Sequence, residues 1–211
     1  MGRGDTTQSS DWKDGFLFLG NQLTLDFLNT CPIQNSESME LLGDFSAVLR
    51  WFQTAGLLSS SEAANLQEKW GDSSRARKVV ESMRELREKL RKKVIAWEGG
   101  SAVSHSTIGE LNRLMANYPM CTRLKAIGKK VSTEIYFTPE QPEDLVAPLA
   151  HSATDLFANT DRKRVRKCDQ CVLHFHDTSK KGTRRWCSMR LCGNRLKVAA
   201  YAGRQRIRTH K

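Results

Sequence analysis

The chain has 211 residues, 39% of them hydrophobic, and a net charge of +11. That suffices for one core-bearing domain and a small appended module. No run of about 18 apolar residues occurs and the opening MGRGDTTQSS lacks the apolar core of a secretory signal, so neither a membrane span nor export is expected and the cytoplasm is the default. In chain order, the first patterned segment is GNQLTLDFLNT, residues 20–30, which mixes Leu23, Leu25, Phe27 and Leu28 with Asp26, Asn29 and Thr30. It is too apolar for a surface loop. Asp26 and Asn29 stand three apart, on one helix face or as caps. They are candidates for lining a ligand pocket or anchoring a second module, beside the plainer task of pairing buried backbone groups.

Asp44 then caps a helix through Phe45, Val48, Leu49 and Phe52 that stops near Gly56, and Ser59 with Glu62 forms a capping-box pattern for a helix to about Trp70. From about Ser74 to Glu98, Val79, Met83, Leu86, Leu90, Val94 and Trp97 recur at steps of three and four, and Gly99-Gly100 ends this longest helix. Its other face carries Arg84, Arg87, Lys89, Arg91, Lys92 and Lys93, read as a solvated face with Glu85–Lys89 and Glu88–Lys92 pairs, or else as a second basic patch. Thr107 and Glu110 read as another capping box before Leu111, Leu114 and Met115, and Tyr118-Pro119 closes that helix. Leu124 to Ile127, the turn-like Gly128-Lys129-Lys130 and alternating Val131, Thr133, Ile135 and Phe137 predict a β-hairpin. A last helical stretch runs from Pro142 to about Phe157, with Pro148 forcing a kink or a restart. The expected fold class is α+β: a predominantly α-helical N-terminal domain with a small β-hairpin over residues 1–160, then a small C-terminal module over residues 161–211 that ends in a helix.

The charge is not evenly spread. Residues 161–211 hold 16 Lys or Arg against Asp161, Asp169 and Asp177, a surplus of +13, whereas the first 160 residues hold 18 against 20. A surplus confined to one segment points to a polyanionic partner, because net charge acts on association and not on topology. The same segment holds four of the six cysteines. Cys168 and Cys171 have two residues between them, fifteen follow, and Cys187 and Cys192 have four between them, the pairing by which two short loops bring four thiolates to one tetrahedral structural zinc ion. Disulfides fit poorly without an export signal, a thioredoxin-like pair would leave Cys187 and Cys192 unexplained, and His174 or His176 is the rival ligand. Cys31 and Cys121 stand alone as small apolar residues.

Four thiolates and Zn²⁺ sum to −2, which leaves most of the basic surplus available. If a helix begins near Met189, Arg190, Lys197 and Arg204 share one face with Asn194 and Tyr201 between them, and Leu196, Ala199, Ala200 and Gly203 form an apolar stripe. Arg184, Arg185, Arg190, Asn194, Arg195, Lys197 and Arg204 are the candidate nucleic-acid contacts. Duplex DNA is the first partner. RNA is the alternative, with Trp186 and Tyr201 as stacking residues, and a protein-interaction module for an acidic partner is the third. No Gly-rich phosphate loop, Ser-His-Asp pattern or carboxylate-rich cluster appears, and His105, His151 and His210 are isolated, so an enzyme is not expected.

The run from Arg166 to Arg195, with CDQC, FHDTS, RRWCSM and CGNR, resembles the CGNR zinc-finger family, and GNQLTLDFLNT resembles the opening of the ABATE domain that precedes this finger in many bacterial proteins. The resemblance spans essentially the whole chain. It implies a bacterial transcription regulator described as stress-induced, with Cys168, Cys171, Cys187 and Cys192 matching the family's metal ligands. With the basic surplus, the expected protein is a DNA-binding regulator whose N-terminal domain senses a small molecule or forms a homodimer. His174 and His176, flanking Phe175, depart from the apolar neighbours expected there.

Overall fold

The computed structural model describes residues 11–34 and 37–193. The chain opens on a hairpin absent from the sequence-based expectation, β1 (Trp12–Lys13) antiparallel to β2 (Phe16–Leu17). Its turn residues Asp14 and Gly15 both have positive φ, 48° and 84°. An Asp-Gly pair with this backbone is the two-residue turn whose twist matches that of the strands, and the pair sits in plain view in WKDGFLFLG. Next comes α1 (Leu23–Leu28), the helix of the GNQLTLDFLNT segment, started by the Gln22 side chain accepting from the Leu25 amide. Six residues cannot hold a helix alone. Burial of Leu25, Phe27 and Leu28 on all sides supplies the stability instead.

A short ribbon, β3 (Ile33–Gln34) with β4 (Glu37–Ser38), leads to three consecutive helices. They are α2 (Phe45–Thr54), capped by Asp44; α3 (Ser60–Trp70), with the Ser59–Glu62 capping box formed; and α4 (Ser74–Glu98), capped by Ser73. Trp51 of α2 is fully buried against Phe18 and Phe27, both at 5.8 Å between ring centres, and Phe52 at 5.1 Å. Val79, Met83, Leu90, Val94 and Trp97 carry the apolar stripe of α4 into the same core.

The basic face of α4 is only partly solvated: Lys89 and Lys92 are exposed, whereas its arginines are turned to structural use. Arg84 donates to the carbonyls of Leu42 and Gly43, and Arg91 donates to Glu88 and to the Leu28 carbonyl, the end of α1. Arg87 is buried, forked onto Glu40 at 2.6 and 2.8 Å and donating to Thr30 and Glu88. Glu88 therefore serves Arg87 and Arg91 rather than Lys92. The next helix, α5 (His105–Asn117), begins three residues earlier than Thr107 as a cap would have it. Ser104 is the capping residue, accepting from the Thr107 amide, and the Thr107 hydroxyl takes a hydrogen bond from Lys93.

The predicted hairpin is β5 (Cys121–Ile127) with β6 (Lys130–Tyr136), and one of its faces shows Leu124, Val131 and Ile135 to solvent. A 3₁₀ turn at Pro142–Leu145 then leads into α6 (Val146–Asn159). Pro148 falls in the first turn of α6, where its missing N–H has no intrahelical acceptor, so the chain restarts there without a kink. The last module is built on β7 (Val165–Lys167) antiparallel to β8 (His174–His176), followed by a loop and a single wide turn at Met189–Gly193. The basic helix expected beyond that turn, with Asn194, Arg195, Lys197, Tyr201 and Arg204, lies outside the described residues.

Helix α6 grips α1 through one hydroxyl. Ser152 Oγ accepts from the Thr24 amide at 3.0 Å, the Thr24 hydroxyl at 3.0 Å and Gln22 Nε2 at 2.8 Å. Ser152→Ala strands a buried amide and is expected to cost about 1–3 kcal/mol. Urea unfolding checks this, and a midpoint equal to that of the parent would show that the site carries no such weight.

Candidate metal centre

The four cysteines that the sequence pairs meet at one point. Cys168 directly follows β7, Cys171 closes the tight loop after it, Cys187 precedes the wide turn and Cys192 lies within it. Their sulfurs all lie within 4.8 Å of one another, with Cys187 Sγ 3.6 Å from Cys171 Sγ and 3.7 Å from Cys192 Sγ. A tetrahedral ion with thiolates at about 2.3 Å requires sulfur–sulfur edges of about 3.8 Å. A disulfide would need about 2.0 Å. Without a cation the cluster resists more than one negative charge: hydrogen bonds from Cys171 and Cys187 hold the Cys168 thiol far below its ordinary range, and the contact with Cys168 pushes Cys171 up to about 12 and Cys187 higher. A divalent ion lifts that restriction, so the donor set fits a metal. Neither His174 nor His176 belongs to the cluster. Burial pushes the His174 imidazole down to about 4, so it is a neutral packing residue.

Around the sulfurs the chain is tied by its own basic residues. Arg184, grouped by sequence with the surface cations, is spent within the module. It lies 4.7 Å over the Phe175 ring and donates to the carbonyls of Trp186 and Cys187. Arg164 donates to the carbonyls of Asp177 and Ser179, and Arg166 to that of Gly182. Buried Asp177 accepts from the amides of Ser179 and Arg184. These bonds pin the loop 177–185, so that Lys180, Lys181 and Arg185 project from it. Arg185 is exposed and pairs with Asp169 at 2.7 Å, and Arg190 is exposed on the wide turn. Gly193 closes the wide turn. It clears room for the Met189 side chain, whose sulfur would lie 2.6 Å from an added Cβ.

The module does not make its core alone. Leu17, Trp12 and Leu19 of the N-terminal hairpin pack with Phe175, Leu173, Trp186 and the cysteines. Asp11 accepts from Ser188 at 2.6 Å. The free edge of β8 is covered by the GNQLTLDFLNT segment. Asn29, at the end of α1, accepts from the His174 amide at 2.8 Å and donates to its carbonyl at 2.9 Å. The Gly20 carbonyl accepts from the His176 amide at 2.7 Å, and Asn21 donates to the His176 carbonyl at 3.0 Å. On the other strand, the Lys167 amide donates to Glu98 at the end of α4, 2.7 Å away.

Residues 21–160 match the family model ABATE, described as "Putative stress-induced transcription regulator", and residues 164–205 match the model of the CGNR zinc finger. The chain belongs to the ABATE family. No curated protein matches it significantly. Among its described residues, no helix is long and apolar enough to cross a membrane. The N-terminal hairpin of this ABATE protein lies before both matched regions, yet it roofs the finger.

Asp26 of α1 holds the chain that follows that hairpin. Its Oδ1 accepts from the Gly20 amide at 2.6 Å, and a Cβ on Gly20 would meet the Asp26 amide at 2.7 Å, so only glycine fits. Burial pushes its carboxyl up to about 6, against the lowering pull of the Gly20 and Leu19 amides and of Lys13. The folded protein thus holds this proton more tightly than the unfolded chain. Its contribution favours the folded state below about pH 4 and is lost as pH rises through about 6. Relative to Asp26→Asn, the parent is expected to lose on the order of 3 kcal/mol across this window. Urea midpoints of both proteins from about pH 4 to about pH 7 read the difference, and parallel curves would contradict it.

Proposed function

We propose that the protein is a DNA-binding transcription regulator whose finger is held by one zinc ion on Cys168, Cys171, Cys187 and Cys192. Four closely spaced thiolates form a soft tetrahedral set, which selects zinc over the oxygen-seeking cations. All four positions are protein ligands, leaving none for a reacting water, so the ion, when bound, supplies cross-linking and no catalysis.

The observation that carries the DNA reading is the +13 surplus in residues 161–211, set beside a loop fixed from within. Internal bonds absorb Arg164, Arg166 and Arg184, while Lys163, Lys167, Lys180 and Lys181 are exposed on the finger. Lysines whose side chains have no partner among the described residues suit phosphate, which positions a duplex without reading its sequence. Asn194, Arg195, Lys197 and Arg204 follow directly in the chain and are the residues we assign to base edges and further phosphates. A cytoplasmic, nucleoid-associated place in a bacterial cell accords with this reading.

Two measurements test it. Mass spectrometry under native conditions should find one zinc per chain in the parent and in Cys31→Ser, and none in Cys187→Ser, with duplex binding lost alongside the metal. A Cys187→Ser protein that kept both would overturn the metal-dependent finger. If about five phosphates are neutralised, affinity for a genomic duplex should fall with a log–log salt slope of roughly −4.5, and Lys180→Ala with Lys181→Ala should flatten it by about 1.8. Binding indifferent to salt, or outcompeted at equal concentration by structured RNA, would refute the assignment to DNA.

A further inference from the structure

A cavity of about 360 Å³ opens between α4, α5 and α6, at the margin of the N-terminal core. Its floor is aromatic: Trp97 of α4 and Phe157 of α6 meet edge to face at 5.3 Å, with Ala96, Ala102 and Val103 beside them. Lys92, Lys93, Ser104 and Thr107 stand on its polar side. Lys93 is already balanced, donating to Thr107 at 2.9 Å and pairing with Glu110 at 3.2 Å. Lys92 has no ion pair among the described residues, because its i−4 neighbour Glu88 is taken by Arg87 and Arg91. The cavity therefore offers a mostly apolar body site with one uncompensated cation at its edge. Its volume falls in the range of small-ligand pockets, about 300–1,000 Å³.

The walls of the cavity are also the supports of the finger. Trp97 precedes Glu98, the residue that accepts from the Lys167 amide directly before Cys168. Ser101 follows Gly100, whose carbonyl accepts from Arg162 at 3.0 Å. Phe157 lies on the last turn of α6, from which the chain passes into the finger. Trp97 and Phe157 thus stand beside the joints of the finger, and a ligand seated on them couples to the finger to the extent that it binds the closed-joint state better.

We propose that this cavity binds a small aromatic or aliphatic monocarboxylate, its apolar body on Trp97 and Phe157 and its charge at Lys92, and that occupancy tightens the Glu98–Lys167 joint of the finger. The inference stands apart from DNA binding, since both of its readouts are made on the protein alone. The probe is 2-naphthoate, titrated calorimetrically into the full chain, with its neutral carboxamide as control. Saturable one-to-one binding is expected, at least tenfold tighter for the carboxylate. Lys92→Ala should remove that preference, and Ala96→Trp, which fills the cavity from an exposed helix position, should abolish binding while leaving the circular dichroism unchanged. Amide exchange at Lys167 should slow severalfold in the presence of the probe. The ligand site is overturned if the parent shows no saturable binding or if Ala96→Trp binds as the parent does. Equal affinity for the carboxamide overturns the anionic class, and unchanged exchange at Lys167 overturns the coupling.

Discussion

Helices α4 and α6, the chain after β2 and strand β8 of the finger are each tied to the α1 segment by different polar side chains. A six-residue helix with its apolar residues buried all round has no solvent for its polar groups, so each must find a partner in whatever element packs against it. Gln22 and Thr24 take Ser152 of α6; Asp26 takes the turn after β2; Asn29 takes β8 of the finger; Thr30 takes Arg87 of α4. The apolar residues decide that α1 is buried. The polar ones decide what may lie beside it, since a wrong neighbour would leave a donor or acceptor stranded at a cost of about 1–3 kcal/mol.

This explains why the finger and the helical body do not behave as beads on a string. A module of some fifty residues buries too little apolar surface to stand easily by itself. Here it has two supports: the four-thiolate cluster inside, and a docking edge outside made by Gly20, Asn21 and Asn29 against β8, with the Trp12–Leu19 hairpin as roof. Whatever alters the packing of α1 or the end of α4 is transmitted to the finger through hydrogen bonds to its own backbone, at His174, His176 and Lys167.

Much of this was legible in the residues. Helices with a strong local signal, such as the Asp44 and Ser59 starts and the three-and-four repeat of α4, form where the pattern places them, because capping and amphipathicity are properties of a few neighbouring positions. The cysteine spacing likewise fixes a tetrahedral set through two short loops. Side-chain duties decided by distant partners were not legible. Arg87 looks like its neighbours Arg84 and Lys89 in sequence, yet Glu40 and Thr30, far upstream, draw it into the interior. Arg184 looks like Arg185, yet the Phe175 ring and two carbonyls claim it. Thr107 and Glu110 satisfy the capping-box pattern, but Ser104 reaches the helix start first and Lys93 occupies both of them. The N-terminal hairpin had its signal in Asp14-Gly15; its role as a roof did not, because the surface it covers exists only once the finger has folded.

The division of the arginines from the lysines follows from the same logic. A guanidinium carries donors in a rigid fork and loses less on being fixed, so Arg84, Arg87, Arg91, Arg164, Arg166 and Arg184 can each close a loop or helix end onto backbone carbonyls or carboxylates. An ammonium is a compact, strongly hydrated charge that gains little from such burial. Lys180 and Lys181 therefore remain at the tip of a loop that arginines hold rigid, a loop that presents mobile charge from a fixed platform. The DNA contact proposed above would draw on that combination, and so on the internal arginines as much as the external lysines.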